Sequence, residues 1–273
     1  MVALFLMSCS SCVLFQSEGF MIYRKRNSVG IITSKTILTI TKRKFGFSKT
    51  STPTDSVRFS KYLQSGGSGA IVRHNDKTSF ILTAAHVCTL AFDAQIKAHF
   101  PFYNRDEYKK AFIHLNEIHD VTGKKYPAIP LVWNSQYDIC IMVTPKIDQP
   151  SLSLALEGPY LGEKVYYMGF PRGLGGGKVV PAFDGYFAGP MSIRMGHRGA
   201  VNAYSLSIAP GSSGSSILNI HGDIIGMVHS YYPIFPNLCL SATHKQLKEL
   251  FEEADKIYEK RKKYLHDELE SWL

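Results

Sequence analysis

The chain has 273 residues, of which 45% are hydrophobic and 19% are charged, and its formal net charge is +9. This composition supplies enough apolar sequence for one large two-lobed domain with a substantial core. The positive charge is local, because residues 21–50 hold eight basic residues and no acidic residue, whereas the rest of the chain is close to balanced. The central part of the chain is therefore not a basic nucleic-acid-binding surface.

The first segment, residues 1–20, is apolar but too short for a membrane span, and it lacks the basic residues that begin a signal peptide. Its run Leu6-Met7-Ser8-Cys9-Ser10 resembles the lipobox of bacterial lipoproteins, in which the cysteine is lipidated after cleavage. We therefore expect an exported or membrane-anchored protein with Cys9 as the anchor. A cytoplasmic or phage-encoded protein is the alternative.

The second segment, residues 21–58, is predicted to be a basic arm or linker. Its charge favours contact with an anionic membrane surface. No nucleic-acid-binding motif accompanies the arm, so nucleic acid is not the expected partner. If the arm is only a linker, removing residues 1–55 should leave the chemistry of the following domain intact.

Residues 59–242 contain short runs of branched and aromatic residues separated by Gly, Pro, Asn and Asp, which predicts strands. From Leu247 the apolar residues recur at helical spacing, and Thr243-x-x-Gln246 is a capping box ahead of them. A helix is thus predicted over 243–273, packed on the second of two β-lobes. A helix that exposes Leu265, Leu269 and Trp272 to a partner is the alternative.

Three short sequence motifs in this β-rich part of the chain indicate a nucleophilic catalytic site. A serine hydroxyl needs a base within hydrogen-bond reach and a third group that holds the base in the correct tautomer. Ser213 lies in a glycine- and serine-rich loop, His86 follows an apolar strand, and Asp138 precedes another. Asp120 also lies between His86 and Ser213, but a polar, turn-like stretch follows it.

The loop around Ser213 also has the glycines that an oxyanion site requires. Gly211 and Gly214 allow a tight turn whose amides point inward. The predicted oxyanion donors are the Gly211 and Ser213 N–H groups. The order His, Asp, Ser separates this chain from the α/β-hydrolases and the subtilisins, in which the three residues follow other orders.

With these motifs, the chain resembles the trypsin-like (chymotrypsin-clan) serine proteases, and most closely the Deg-type bacterial branch with its phage relatives. The matching segments are Thr83-Ala84-Ala85-His86, Asp138-Ile139-Cys140 and Gly211-Ser212-Ser213-Gly214-Ser215. The resemblance implies an all-β fold of two antiparallel six-stranded β-barrels with the triad in the cleft between them. It also implies cleavage of protein or peptide substrates through an acyl-enzyme.

The chain departs from this family in two places. Ser212 stands where secreted relatives carry an aspartate that pairs with the new N-terminus, so we do not expect activation by that ion pair. Only about thirty residues follow the β-rich part, too few for the PDZ domain of Deg-type proteins.

The predicted function is therefore that of a serine endopeptidase, and the alternative is a catalytically silent peptide-binding module on the same fold. The stretches Ser205–Ala209 and Val228–Tyr231 should line the specificity pocket, and their lack of acidic residues favours small or apolar side chains over Lys or Arg. No cofactor and no metal are expected, because the metalloprotease spacing of histidines is missing. The core cysteines are predicted to be free and buried; they are Cys88, Cys140 and Cys239.

Overall fold

A computed structural model describes residues 18–42, 58–89, 92–104, 108–174, 179–193, 199–232 and 234–271. The predicted lipid anchor at Cys9 and the terminal Trp272 lie outside these ranges. Among the residues described, no helix is both long enough and apolar enough to cross a membrane.

Twelve strands and four helices make up the described part of the chain. The strands are β1 (Val29–Lys42), β2 (Arg58–His74), β3 (Thr78–Thr83), β4 (Tyr108–His119), β5 (Lys125–Asn134), β6 (Ile139–Pro145), β7 (Lys164–Met168), β8 (Ala182–Ile193), β9 (Gly199–Tyr204), β10 (Ser216–Leu218), β11 (Ile224–Tyr232) and β12 (Phe235–Ser241). The helices are α1 (Glu18–Lys25), α2 (Ala85–Cys88), α3 (Phe92–His99) and α4 (His244–Glu270).

The strands form two closed antiparallel barrels, which confirms the predicted fold class. The first barrel has the strand order β1-β2-β3-β6-β5-β4, and the second has the order β10-β11-β12-β9-β8-β7. The two barrels are joined by the segment between β6 and β7. This segment contacts both of them, since the Leu152 amide donates to the Ile71 carbonyl and the Ala155 amide donates to the Ile224 carbonyl.

The first barrel begins earlier than the sequence suggested. Strand β1 pairs with β2 on one side and β4 on the other, so much of the stretch predicted to be a basic linker is one of the six barrel strands. Ile32, Leu38 and Ile40 of this strand are fully buried. Its lysine Lys35 instead lies on the outer face, where it forms an ion pair with Glu117 at 3.0 Å.

Strands β1, β2 and β4 continue beyond the barrel as a three-stranded sheet, which we call the strand extension (residues 33–42, 58–66 and 108–117). Helix α3 leads into Phe100, which packs with Leu38 and Ile40 on one face of this sheet. The adjacent residue Ile37 belongs to the opposite face, because side chains alternate along a strand. The strand extension therefore has one face turned toward the protein and one turned to solvent.

Helix α4 begins at the predicted capping box: Thr243 accepts from the Gln246 amide, and the Gln246 side chain accepts from the Thr243 amide. It packs mainly on β5 and β6 of the first barrel, and its first turn also reaches the second barrel, where the Gln246 side chain donates to the Ala200 carbonyl at 3.2 Å. The prediction that the helix packs on the second lobe is therefore wrong for most of its length. Tyr258 makes an edge-on contact with Phe80 of β3. Leu265 and Leu269 are buried, which also rules out the alternative in which they face a partner.

Candidate active site

His86 and Asp138 form a hydrogen-bonded pair at the edge of the first barrel. The His86 Nδ1 atom lies 2.6 Å from Asp138 Oδ2, and the His86 amide donates to Asp138 Oδ1 at 2.9 Å. The short helix α2 presents the histidine, whereas Asp138 stands immediately before β6 in a left-handed conformation, with φ of 54°. Because both carboxylate oxygens are engaged by one residue, the ring is held with Nε2 directed away from Asp138.

Asp120, the other acidic residue considered from the sequence, has a structural role. One of its carboxylate oxygens accepts hydrogen bonds from the Thr122 amide, the Thr122 hydroxyl and the Lys124 amide. These contacts close the turn between β4 and β5. The structure thus brings Asp138, and not Asp120, to His86.

A disulfide joins Cys88 to Cys140, and this corrects the prediction that the core cysteines are free. Cys88 lies two residues after His86 and Cys140 lies two residues after Asp138, so the covalent link ties the two elements that carry the histidine and the aspartate. Cys239 is free and buried, as predicted. The sequence did contain a signal, because the spacing from His86 to Asp138 is repeated by the two cysteines.

We expect loss of this disulfide to lower the free energy of unfolding by about 4 kcal/mol, because the bond closes a long loop and so restricts the unfolded chain. Denaturant unfolding with and without a reductant measures the effect. Wild type and the control Cys239→Ala should be less stable in reductant, whereas the double variant Cys88→Ala/Cys140→Ala should be indifferent to it. Equal wild-type stability in the two conditions would contradict the assignment.

The loop that carries Ser213 belongs to the second barrel but is anchored to the first barrel through Ser68 of β2. The Ser68 amide donates to the Ser213 carbonyl at 2.8 Å, and the Ser68 hydroxyl donates to the Gly211 carbonyl at 2.8 Å. The same hydroxyl accepts from the Phe170 amide at 2.9 Å, and the Ser68 carbonyl accepts from the Thr83 hydroxyl at 2.8 Å. Ser68 thus links the Ser213 loop to the strand that leads to His86.

The surroundings of Gly67 show how closely the segment that carries His86 approaches the loop that carries Ser213. A Cβ atom at this position would lie 2.6 Å from Val87 Cγ2 and 2.7 Å from the Ser213 carbonyl oxygen. Val87 directly follows His86, so only a residue without a side chain fits between the histidine segment and the serine loop. The segment that carries His86 and the loop that carries Ser213 therefore lie on either side of Gly67.

The peptide unit between Pro210 and Gly211 has a defined orientation. The Pro210 carbonyl accepts from the Arg172 amide at 2.6 Å, and in a planar trans peptide the Gly211 N–H must then point the opposite way. Gly211 has φ of 97°, and a Cβ there would meet the Phe170 carbonyl oxygen at 2.6 Å. Within the described chain, neither the Gly211 N–H nor the Ser213 N–H donates a hydrogen bond, so both are available at the turn.

The Ser213 hydroxyl makes no hydrogen bond with any described residue, His86 included. Unliganded sites often show this, because catalytic hydrogen bonds tighten only when a substrate binds. The neighbouring serines differ: Ser212 and Ser215 are fully buried, whereas Ser213 is partly exposed. Of the three, Ser213 is the one that a substrate can reach.

The stretches predicted to line a specificity pocket lie beside this loop. The Ser207 carbonyl accepts from the Tyr167 hydroxyl at 2.7 Å, and the Ser207 hydroxyl donates to Asn237 Oδ1 at 3.2 Å. On the other side, the Gly214 amide donates to the Val228 carbonyl at 2.7 Å. Burial raises the pKa of Tyr167 to about 12, so its hydroxyl stays protonated as the donor.

Two closed β-barrels with a histidine–aspartate pair and a glycine-bounded serine loop at their junction define the class of two-barrel serine proteases. The family model described as "Trypsin-like peptidase domain" matches residues 67–227, which is more than half of the chain. The chain therefore belongs to the trypsin-like peptidase family. No curated protein matches it in sequence.

Solved structures of proteases, one of them HtrA-type, share the fold. The HtrA-type protease AlgW with a decapeptide has a TM-score of 0.60 at 15% identity, over 88% of this chain and 68% of that one. The Rv3671c protease from M. tuberculosis in its active form has a TM-score of 0.56 at 14% identity, over 85% of this chain and 82% of that one. A serine endoprotease from Yersinia pestis has a TM-score of 0.55 at 16% identity, over 87% of this chain and 66% of that one.

Proposed function

We propose that the chain is a serine endopeptidase in which His86, Asp138 and Ser213 form the catalytic triad. The observation that carries the proposal is the bidentate pairing of Asp138 with the His86 amide and Nδ1. This pairing leaves Nε2 as the proton acceptor, and Val87, the residue after His86, lies across Gly67 from the Ser213 loop. The family to which the chain belongs acts on peptide bonds, and this supports peptides or proteins as the substrates.

The proposed reaction is acyl transfer in two steps. His86 Nε2 removes the Ser213 hydroxyl proton as the oxygen attacks the peptide carbonyl, and Asp138 stabilises the imidazolium that forms. The proton then passes to the leaving amine, and the acyl group stays on Ser213 as an ester. Water, deprotonated by His86, hydrolyses the ester and restores the hydroxyl.

The Gly211 and Ser213 N–H groups are the proposed donors to the oxyanion of each tetrahedral intermediate. The contact from the Arg172 amide to the Pro210 carbonyl supports this role, because it turns the Gly211 N–H away from Arg172. No metal or cofactor is needed for this chemistry.

Hydrolysis of an unfolded protein substrate tests the proposal. Wild type should cleave it, and Ser213→Ala should not, whereas Ser153→Ala, which changes an exposed serine in the segment between the two barrels, should retain cleavage. Cleavage that survives in Ser213→Ala would overturn the assignment of the nucleophile. A wild-type protein that binds the substrate without cleaving it would support the silent peptide-binding module instead.

Gly211→Ala should lower kcat by about 10²- to 10³-fold, the usual effect of losing one oxyanion donor. The new Cβ would clash with the Phe170 carbonyl oxygen and the Arg172 amide, and the peptide would have to rotate. Gly162→Ala is the matched control, since Gly162 also has a positive φ but no atom within 4 Å of the added Cβ. Similar kcat values for the two variants would show that backbone strain, and not the oxyanion site, causes the effect.

A further inference from the structure

A cavity of about 750 Å³ lies beside the histidine–aspartate pair. His86 and Asp138 both line it, so it opens along the edge of the imidazole ring. We call it the side groove; its other lining residues include Trp133, Phe112, Pro130 and His114, and the uncharged polar residues Ser65, Thr89, Gln95 and Ser135. Its volume is within the range of sites that hold organic ligands.

Two exposed aromatic residues line the side groove, and they come from different strands of the first barrel. Trp133 of β5 is 49% exposed and lies across the strand pair from Cys140. Phe112, which is 48% exposed, belongs to the strand extension, where it pairs with the buried Leu38. Strand β4 of the strand extension therefore contributes one aromatic ring to the side groove, and β5, the strand before Asp138, contributes the other.

The side groove contains little charge for a polar ligand to pair with. No lysine or arginine is among the described residues that line it, and its carboxylate, Asp138, is already engaged by His86. Both ring nitrogens of His114 already have partners. Its Nδ1 atom lies 2.6 Å from Thr36 Oγ1, and its Nε2 atom lies 3.3 Å from the Cys88 carbonyl oxygen. Burial lowers the pKa of His114, so this ring is neutral near pH 7.

We propose that the side groove binds a large apolar or aromatic side chain of the peptide substrate, one close to the scissile bond, in contact with Trp133 and Phe112. The location of His86 explains why the bound side chain is close to the scissile bond. A base that must reach both Ser213 and the leaving amine lies next to the scissile bond, and the side groove is lined by that base. The chemistry follows from the lining residues, because an apolar side chain buries surface there, whereas a charged one would lose water without gaining a partner. This inference rests on the proposed function for the location of the scissile bond only.

Peptide binding to the Ser213→Ala variant tests the proposal without any turnover. The probes are fluorescein-labelled hexapeptides of Ala and Ser in which one position in turn is Ala, Phe, Asp or Lys, and anisotropy gives their affinities. At one position Phe should bind about tenfold more tightly than Ala, the usual discrimination of an apolar pocket. Asp and Lys should gain nothing at that position.

The two aromatic lining residues have a matched control on the same sheet. Trp133→Ala, added to Ser213→Ala, should reduce the Phe preference to within about twofold, and Phe112→Ala should weaken it. Tyr62→Ala should leave it unchanged, because Tyr62 pairs with Ile37 on the solvent face of the strand extension and is 55% exposed. A Phe preference that persists in Trp133→Ala, or that is missing in Ser213→Ala, would overturn the proposal.

Tryptophan fluorescence gives a second, direct measurement, since Trp133 and Trp272 are the two tryptophans of the chain. In Ser213→Ala/Trp272→Phe the emission comes from Trp133 alone, and the Phe-containing peptide should shift it, whereas the Ala peptide should not. These readouts separate the two proposals. Binding with a Trp133 signal but no hydrolysis by wild type would refute only the endopeptidase, and hydrolysis without a Phe preference would refute only the side groove.

Discussion

Asp138→Asn should lower kcat about 10⁴-fold while the protein remains folded. This is the size of the loss that an aspartate-to-asparagine change causes in a serine–histidine–aspartate triad. The asparagine amide can keep one of the two contacts that Asp138 makes to His86. It would nevertheless present an N–H group to one of the donors and favour the tautomer in which Nε2 carries the proton. Such a ring cannot accept the Ser213 proton, and the imidazolium would lose its counter-charge. Steady-state kinetics on a peptide substrate measures the loss.

The matched control is Asp120→Asn. Asp120 accepts from the Thr122 and Lys124 amides in a turn remote from His86, so its change should lower the free energy of unfolding by roughly 1–3 kcal/mol and leave kcat nearly unchanged. The opposite pattern, with the large kinetic loss in Asp120→Asn, would show that the wrong carboxylate has been assigned.

Deletion of residues 1–55 should abolish folding and, with it, any activity. The deletion removes β1, which pairs along its length with β2 and β4, and it would open the first barrel. It also removes three fully buried side chains, Ile32, Leu38 and Ile40, each worth about 2 kcal/mol of burial or more. Circular dichroism and limited proteolysis of the truncated chain measure the outcome.

A shorter deletion, of residues 1–17, is the control. This deletion leaves in place β1 and the ion pair between the Glu18 carboxylate and Lys164 at 2.7 Å, so the variant should retain the barrel and its unfolding free energy. If the chain that lacks residues 1–55 instead folds and cleaves peptides, β1 is not an essential barrel strand and residues 21–58 are a linker after all.

The residues of the proposed site could be selected from the sequence because their chemistry restricts which residue types can serve. A serine in a glycine-bounded turn, a histidine after an apolar strand and an aspartate before another strand form a combination that other folds seldom need. The strand alternation and the capping box at Thr243 were local signals in the same sense. They depend on neighbours in the chain, which the sequence displays directly.

The features that the sequence missed depend on neighbours in space. The helical spacing of apolar residues predicted that α4 has an apolar face, but it did not predict which barrel that face covers. Basic residues such as Lys35 led to the prediction that residues 21–58 are a solvated arm. Lys35 instead lies on the outer face of β1 and pairs with Glu117. A bonded cysteine and a free buried one have similar apolar surroundings, so the sequence did not separate Cys88 and Cys140 from Cys239.

The most direct test of the proposed triad is covalent labelling with an active-site fluorophosphonate, followed by mapping of the adduct by peptide mass spectrometry. The proposal predicts one adduct, on Ser213, that disappears in His86→Ala because the hydroxyl then has no base. No adduct in the folded wild-type protein, or an adduct on Ser212 or Ser215 instead, would contradict it.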